Sequence, residues 1–465
     1  MRQNNKTGYV IFMAIVAAIG GILFGYDTAV ISGTTEMVKK QFALSDMREG
    51  WYVGCALIGS IFGVLAAGSL SDYLGRKLTM LISAALFSIS AIGCAVCGSF
   101  DALVAYRIIG GIGIGIVSIV SPIYISEVSP ARIRGTLVSL YQLAVTVGFL
   151  MAYLVNWLID SNMDPGITGD GTASLWHVIM HSEAWRGMLG SETIPAVLFF
   201  LIIFFIPESP KWLIVNGKYD KAAAVLHKIH QTEDEVKEEI DNTKASLAGE
   251  TKGAWADLLK PGILIAVIAG SAIAILGQFM GVNAVLYYGP KIFSDAGFEN
   301  PMFSTVLVGT VNMVTTILAV FIIDRVGRKQ LIYWGVSGMI ICLLAIGTYF
   351  TWGDSLGLGN TFMLTFFLAY VFCCAISISA VVFVLLSEMY PNSVRGRAMS
   401  IAGFALWIGT YLIGQLTPVL LGWSQGGTFF IFAVMCIPYM LIMWKIIPDT
   451  TGKTLEDIEE YWNRK

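Results

Sequence analysis

Residues 20–33 read GGILFGYDTAVISG, and this stretch places one carboxylate, Asp27, inside an apolar run that begins at Tyr9. A central Asp costs about 2.5 to 3.5 kcal/mol against membrane residence, so an Asp in a spanning helix indicates a functional site. Burial disfavours the ionised carboxylate, whereas a neighbouring cation favours it. We therefore expect a cationic partner for Asp27 elsewhere in the chain.

The composition around this stretch is that of an integral membrane protein. Of the 465 residues, 56% are hydrophobic and only 13% are charged, whereas about 25% of an ordinary soluble domain is charged. The mean hydropathy is +0.73. The apolar runs are long and continuous, which predicts helices instead of the alternating strands of an outer-membrane barrel. The net charge is −3 and no basic arm is present, so no nucleic-acid partner is predicted.

Runs of about 20 apolar residues, the length that a helix needs to cross a bilayer, recur along the whole chain. We place twelve spans, six on each side of one long polar insertion, near residues 9–31, 50–70, 78–98, 102–126, 136–159, 187–206, 262–289, 302–323, 331–350, 361–387, 399–421 and 428–447. The sequence therefore predicts an all-α protein with twelve transmembrane helices in two six-helix halves.

The polar insertion sets the predicted domain boundaries. We expect an N-terminal six-helix bundle at 1–206, a helical linker at 207–261, a C-terminal six-helix bundle at 262–447 and a tail at 448–465. The middle of the linker has helical periodicity and charges of both signs, which favours solvated helices over a binding site.

The short loops indicate the orientation, because cytoplasmic loops carry an excess of Lys and Arg. One side of the predicted bundle holds nearly all of these residues, while the loops at 160–185, 351–360 and 422–428 hold none. The first outer loop is an exception, in which Lys39 and Lys40 are offset by acidic residues. We predict that both termini are cytoplasmic and that the protein lies in the inner membrane.

The two halves repeat one another. GSLSDYLGRK (68–77) matches FIIDRVGRK (321–329) at an offset of 324 − 72 = 252, and EVSPARIRG (127–135) matches EMYPNSVRG (388–396) at 388 − 127 = 261. These repeats contain opposite charges at helix ends, at Asp72, Arg76, Glu127, Arg134, Asp324, Arg328, Glu388 and Arg395. We favour a latch of ion pairs that forms in one conformation only, and the alternative is a topology signal alone.

Seven motifs in order resemble the sugar porter family of the major facilitator superfamily. They are GSLSDYLGRK (68–77), RIIGGIGIG (107–115), YISEVSPARIRG (124–135), PESPKWL (207–213), QFMGVNAVLYY (278–288), SEMYPNSVRG (387–396) and PDTTGKTLEDIE (448–459). FGYDTAVISG has an aspartate where facilitative glucose carriers have asparagine, so the chain is most similar to bacterial xylose–proton symporters. Such a duplicated bundle is a transporter architecture, with the substrate path at the interface of its halves.

The resemblance implies that Asp27 binds the proton, that Arg107 is its cationic partner and that Glu192 tunes the pair. The residue types support such a cluster, because three charged side chains at membrane depth cost less free energy when they lie together than when each is isolated. The alternative is an ion pair that only fixes helix packing. GGIGIG at 110–115 lies inside an apolar run, so its glycines predict close helix approach and not a dinucleotide fold.

An uncharged sugar needs neutral groups that both donate and accept hydrogen bonds, together with aromatic faces. The resemblance assigns Gln142, Gln278, Asn283, Asn312 and Trp407 to this site, and Phe24, Tyr287, Tyr288 and Phe383 are candidate walls or gates. For the three residues Gln142, Gln278 and Asn283 we favour sugar contact over helix–helix hydrogen bonding. The tyrosines equally suit interface anchors.

Three positions depart from the family pattern. Gly277 replaces the first residue of a frequent Gln pair, Phe383 replaces a frequent Trp, and Ser379-Ala380 replaces a Gly-Pro helix breaker. The first change leaves the identity of the sugar open. The last removes a backbone hinge, so the gating movement of the tenth span is expected to differ.

Together these features predict proton-coupled import of a monosaccharide, a xylose-like pentose or a hexose, by a monomer that uses no cofactor and no metal and is not an enzyme. The nearest alternative is a facilitative uniporter, which Asp27 disfavours. A non-transporting sugar receptor is expected to carry a long signalling extension, whereas the chain ends at Lys465, shortly after the last span. A membrane enzyme would need a clustered nucleophile, metal set or phosphate loop.

Overall fold

The computed structural model describes residues 2–130, 132–163, 183–230, 232–249, 255–391, 394–450 and 455–463. All regular elements in these ranges are helical. Within them, twelve helical segments are long and apolar enough to cross a membrane. The predicted all-α architecture with twelve spans is thereby confirmed.

Seven helices form the first six spans, because the sixth span is divided in two. They are α1 Arg2–Gln41, α2 Asp46–Leu74, α3 Arg76–Val96, α4 Phe100–Val128, α5 Arg134–Ser161, α6 Ala184–Ser191 and α7 Thr193–Ile202. Several are longer than the apolar runs that predicted them, and α1 extends about ten residues beyond its run. An apolar run corresponds to the part of a helix that suits the hydrocarbon core, so the polar ends of a longer helix fall outside the run.

The polar insertion forms short helices, as its periodicity predicts. They are α8 Pro210–Val215, α9 Tyr219–Ile229, α10 Glu233–Gly249 and a 3₁₀ turn at Trp255–Leu259. The buried residues of α9 are Ala222, Val225, Leu226 and Ile229. This i, i+3, i+4, i+7 spacing is that of an amphipathic helix with one face against the protein.

The second six spans and the tail comprise nine helices and one π-helical turn. They are α11 Pro261–Phe279, α12 Val282–Asp295, α13 Pro301–Val326, α14 Arg328–Leu356, α15 Asn360–Cys374, the π turn Ala375–Ser379, α16 Ala380–Met389, α17 Arg395–Trp423, α18 Gln425–Lys445 and α19 Leu455–Asn463. Trp462 anchors the tail helix α19, because its side chain is buried and its Nε1 donates a hydrogen bond to the Met389 carbonyl at 2.8 Å.

Two compact units are present, and the chain passes between them more than once. Unit 1 comprises Met1–Thr34 and Cys55–Thr251, and unit 2 comprises Thr35–Gly54 and Lys252–Lys465. The linker helices α8, α9 and α10 belong to unit 1, whereas the 3₁₀ turn of the linker belongs to unit 2. The last turns of α1 and the first turns of α2 belong to unit 2, a division that the predicted boundaries did not contain.

Candidate functional site

Asp27 on α1 pairs with Arg107 on α4 in unit 1. Arg107 Nη1 lies 2.5 Å from Asp27 Oδ1, and both side chains are almost fully buried, at 1% and 2% exposure. The predicted cationic partner is therefore in contact with the carboxylate. A buried charge of either sign is stable only when it is paired, so each residue explains the burial of the other.

Glycines bring α2 and α4 together beside this pair. A Cβ at Gly111 would lie 2.0 Å from the Ala56 carbonyl oxygen, and one at Gly115 would lie 2.2 Å from that of Ser60. Two small residues four apart on one helix allow its backbone to contact a neighbouring helix. The close helix approach predicted from GGIGIG is confirmed.

Glu192 lies at a joint between the two helices of the sixth span. The helix α6 ends at Ser191 and α7 begins at Thr193, so Glu192 lies between them. Pro195 has no N–H to donate to the Ser191 carbonyl, which interrupts the helical hydrogen bonding at this point. The Glu192 side chain is 2% exposed and its carboxyl contacts the Asp27 carboxyl.

Each of the two carboxyl groups has one oxygen whose hydrogen bonding is incomplete. Oδ2 of Asp27 and Oε1 of Glu192 are buried and have no hydrogen-bond partner among the described residues. Two ionised carboxylates also repel one another at short range. The pair is therefore a candidate for holding a proton, and Arg107 binds Oδ1 of Asp27.

The seventh span is broken in unit 2, and the candidate amides flank the break. The helix α11 ends at Phe279, Gly281 has φ 92°, and α12 begins at Val282. Asn283 Nδ2 donates a hydrogen bond to Gln278 Oε1 at 2.6 Å across this break. Discontinuous helices of this kind carry the substrate sites of many transporters.

The two candidate tyrosines of α12 are packed inside unit 2. Tyr287 and Tyr288 are both buried, and the Tyr288 hydroxyl donates to the Gly414 carbonyl on α17 at 2.7 Å. Tyr288 departs from helical geometry, with Pro290 two residues later. The pair thus lies at a second irregular point of the same span.

The remaining sugar candidates are spread over both units with accessible side chains. Phe24 and Gln142 belong to unit 1, where Phe24 is half-buried and Gln142 is exposed. In unit 2, Asn312 on α13 and Trp407 on α17 are half-buried, and Phe383 on α16 is 53% exposed. The structure thus joins Gln278 with Asn283 directly and holds these five residues on separate helices.

Two departures from the family pattern have a visible structural setting. A Cβ added at Gly277 would have Ile378 Cγ2 as its nearest neighbour at 3.6 Å, which is an ordinary van der Waals distance. A residue larger than glycine therefore fits at this position without a clash at Cβ. The π turn at residues 375–379 ends immediately before Ala380. A π turn interrupts the helix without Gly or Pro, and such turns are frequent at functional sites.

A first charge cluster joins the helix ends of unit 1. Arg76 donates to both carboxylate oxygens of Glu127, at 3.0 and 3.1 Å, and to Asp72 at 3.0 Å. Ser209 Oγ donates to Glu127 at 2.5 Å. Glu208 accepts from the backbone N–H of Arg76 at 2.8 Å. Burial raises the pKa of Glu208 above its usual value, and hydrogen bonds from backbone N–H groups offset only part of this increase.

A second charge cluster in unit 2 repeats this arrangement. Arg328 donates to Glu388 Oε1 at 3.0 Å, and Thr450 Oγ1 donates to Glu388 Oε2 at 2.6 Å. Ser209 and Thr450 hold equivalent places in PES (207–209) and PDT (448–450), at the single offset 450 − 209 = 241. Sequence reasoning missed these hydroxyls, although the repeated tripeptide contained the signal.

The other predicted latch residues have different surroundings. Arg134 Nε donates to the Ser129 carbonyl and Arg395 to the Tyr390 carbonyl, five residues back in each case. The side chain of Asp324 lies outside the described residues. The two arginines therefore close equivalent loops in the two repeats through backbone contacts.

Sequence reasoning also missed a buried acid near the start of α2. Glu49 is fully buried in unit 2, with Lys39 Nζ at 2.6 Å and Lys291 Nζ at 3.0 Å. Gln415 Nε2 donates to the Met47 carbonyl at 2.8 Å beside it. These contacts fasten residues 35–54 to the rest of unit 2.

Comparisons with known proteins agree with the arrangement. The family model "Sugar (and other) transporter" matches residues 13–462. The chain is 39% identical to the arabinose-proton symporter of Bacillus subtilis, covering 99% of this chain and 96% of that protein. It is 37% identical to the D-xylose-proton symporter of Escherichia coli, covering 99% and 97%. An inward-open structure of the Escherichia coli xylose transporter matches with a TM-score of 0.83, 35% identity, and 98% and 100% coverage.

Proposed function

This chain belongs to the sugar transporter family, within the major facilitator superfamily, and from that premise we propose proton-coupled import of a monosaccharide by alternating access. Several relatives are named for the symport of a sugar with a proton. Transport leaves the sugar chemically unchanged, so no catalytic group is required. The favoured substrates are xylose-like pentoses, followed by hexoses.

The observation that carries the proposal is the buried Asp27–Arg107–Glu192 cluster. Coupling needs a group whose affinity for a proton differs between the outward and inward states, because a ligand with equal affinity for both states shifts nothing. Asp27 has both a cation, Arg107, and a second carboxyl group, Glu192, beside it. A small displacement of either neighbour would change the stability of its ionised form.

The proposed cycle begins when Asp27 takes a proton from the outside. Neutral Asp27 loses most of its attraction for Arg107, which frees α4 from α1. Sugar then binds, the access changes sides, and sugar and proton leave to the inside. Return of the ionised Asp27–Arg107 pair resets the empty carrier.

We propose that sugar hydroxyls replace the hydrogen bond between Gln278 and Asn283, and that Gln142 supplies a further amide. Amide side chains suit an uncharged polyol because they donate and accept. Trp407 and Phe24 would cover the C–H face of the ring, with Asn312 and Phe383 as further contacts. Tyr287 and Tyr288 would stabilise the interrupted seventh span through their buried packing.

The two charge clusters are proposed as latches of the transport cycle. Each joins the ends of spanning helices through a Glu that binds an Arg and a hydroxyl. We place them on the cytoplasmic side, with both termini, in the inner membrane. A monomer is sufficient for this mechanism.

Asp27→Asn tests proton coupling most directly. It preserves the shape of the side chain but cannot titrate, so we expect loss of uphill, proton-driven uptake with retained sugar binding and downhill counterflow. The measurement is uptake of radiolabelled xylose, arabinose, glucose, galactose and fructose by proteoliposomes under an imposed pH gradient. Asp101→Asn, at the exposed first turn of α4, is the matched control.

The outcomes separate the candidate functions. Gradient-driven accumulation by Asp27→Asn would remove the coupling role and favour a uniporter. Binding without counterflow by the wild-type protein would favour a receptor. The sugar panel itself identifies the substrate.

A further inference from the structure

The helix α1 meets the joint of the sixth span at two consecutive positions. The Tyr26 hydroxyl lies 2.6 Å from Ser191 Oγ, and the next residue, Asp27, contacts the next residue of the joint, Glu192. The contact between Asp27 and Glu192 belongs to the proposed proton-coupling cluster. The neutral contact beside it has no part in the proposed transport cycle.

The direction of the neutral hydrogen bond follows from the available protons. Ser191 Oγ donates its one proton to the Met188 carbonyl at 2.5 Å, so the Tyr26 hydroxyl must be the donor to Ser191 Oγ. Tyr26 is 2% exposed. Water therefore cannot replace Ser191 as the acceptor without opening the packing.

This bond fixes a part of the backbone that is otherwise weakly held. The Glu192 N–H reaches the Leu189 carbonyl at 3.3 Å, a tighter turn than that of a regular α-helix. Pro195 contributes no N–H to the turn that follows. The direction of the Glu192 side chain thus depends on contacts made by the residues beside it.

We propose that the Tyr26–Ser191 hydrogen bond is a positioning contact, which holds the Glu192 carboxyl against Asp27 and so sets the pH range of proton-coupled uptake. The inference rests on the proposed coupling role of Asp27. The other titratable or charged side chains around the two carboxyls are Arg107 on α4, Cys55 on α2 and Cys94 on α3. Each of these three residues lies on a helix other than α1 and the two helices of the sixth span.

The expected effect follows from the contact between the two carboxyl groups. A protonated Glu192 donates to Asp27 and stabilises its ionised form, so a displaced Glu192 makes Asp27 easier to protonate. The midpoint of the pH profile of gradient-driven uptake should then move to higher pH by about half a unit to one unit. Sugar binding and counterflow should change little.

The experiment compares five variants of the full chain in proteoliposomes. Tyr26→Phe removes the donor, Ser191→Ala removes the acceptor, and Ser191→Thr retains a hydroxyl and should restore the wild-type midpoint. Two matched controls remove equivalent groups elsewhere. Ser83→Ala removes a buried hydroxyl that donates to the Gly113 carbonyl at 2.8 Å in the same unit, and Tyr349→Phe removes a hydroxyl bond to the Ala296 carbonyl in unit 2.

The decisive readout is the pH midpoint, which a general loss of stability would not move. Shifted midpoints for Tyr26→Phe and Ser191→Ala, with wild-type midpoints for Ser191→Thr and both controls, support the inference. A wild-type midpoint for Tyr26→Phe overturns it. Tyr26→Phe decides the matter even if Ser191→Ala fails to fold, because it leaves no buried donor unpaired.

Asp27→Asn measured in parallel separates this inference from the function on which it rests. If Asp27→Asn still accumulates sugar under a pH gradient, the proposed coupling itself fails. If Asp27→Asn loses accumulation while Tyr26→Phe keeps the wild-type profile, only the positioning role is lost.

Discussion

Units 1 and 2 both interrupt a spanning helix at their candidate site, yet they fill the interruption with different chemistry. In unit 1 the joint at Glu192 brings carboxylates and Arg107 together. In unit 2 the break at Gly281 brings the amides of Gln278 and Asn283 together. A proton requires a group that titrates, whereas an uncharged sugar requires groups that donate and accept hydrogen bonds at any pH.

The helix ends of the two units are, in contrast, chemically alike. Both clusters use a Glu that accepts hydrogen bonds from an Arg and from a hydroxyl. The two repeats are therefore alike at their helix ends and differ at their candidate sites.

The largest expected effect comes from breaking the buried charge pair of unit 1. Arg107→Leu should lower the free energy of unfolding by about 3 to 5 kcal/mol, because it leaves buried carboxylates without a cation. Denaturation in detergent is the measurement. Combining Arg107→Leu with Asp27→Asn should recover most of the loss, and no recovery would contradict the pairing as the cause.

The amide site should respond less strongly, and without loss of fold. Gln142→Ala, Gln278→Ala and Asn283→Ala should each weaken sugar binding by about 1 to 3 kcal/mol, because a desolvated sugar hydroxyl loses its partner. Isothermal titration with the transported sugar measures this, with Asn216→Ala in the helical linker as a control.

Double variants sharpen the same comparison. Gln278 and Asn283 are hydrogen bonded to one another, so the losses from their two substitutions should not add. Wild-type binding by all three single variants would reject the assigned site.

The smallest effects are expected at the charge clusters. Arg76→Ala should slow counterflow by about fivefold, since a partly exposed pair contributes on the order of 1 kcal/mol. Arg328→Ala should slow it less, because Arg328 and Glu388 are more exposed than Arg76 and Glu127. Arg76→Lys should be intermediate, because Lys cannot bind both oxygens in the same fork geometry.

Sugar binding by these variants is the control for the latch proposal. It should stay at the wild-type level, since neither arginine is assigned to the sugar. If both alanine variants transport at the wild-type rate, the charged loops direct membrane topology and have no latch role.

Much of the fold was predictable because it depends on local properties. Apolar runs such as 102–126 show their length and hydrophobicity without reference to any other segment, and the helix α4 follows from its run. The repeated EVSPARIRG and EMYPNSVRG motifs likewise exposed the duplication. That Asp27 has a cationic partner was predictable, because a buried carboxylate needs a cation. The family resemblance then identified Arg107 as that partner.

Other features needed the packed molecule. The π turn at residues 375–379 follows neither Gly nor Pro, so composition carried no sign of it. Glu49 is buried between Lys39 and Lys291, although acidic side chains are mostly exposed in proteins. The contact between Glu49 and Lys291 joins residues 242 positions apart, so a local pattern in the sequence does not show it.

The sequence by itself determined the number and type of helices, the duplication and the cost of placing Asp27 in the membrane, because each depends on a residue and its near neighbours. Only the tertiary structure decided that Tyr26 donates to Ser191, 165 residues away, and that Glu192 meets Asp27 at a helix joint. The physical reason is that burial and hydrogen bonding are properties of pairs. Which pairs form depends on how the helices pack, and a single sequence does not display that packing.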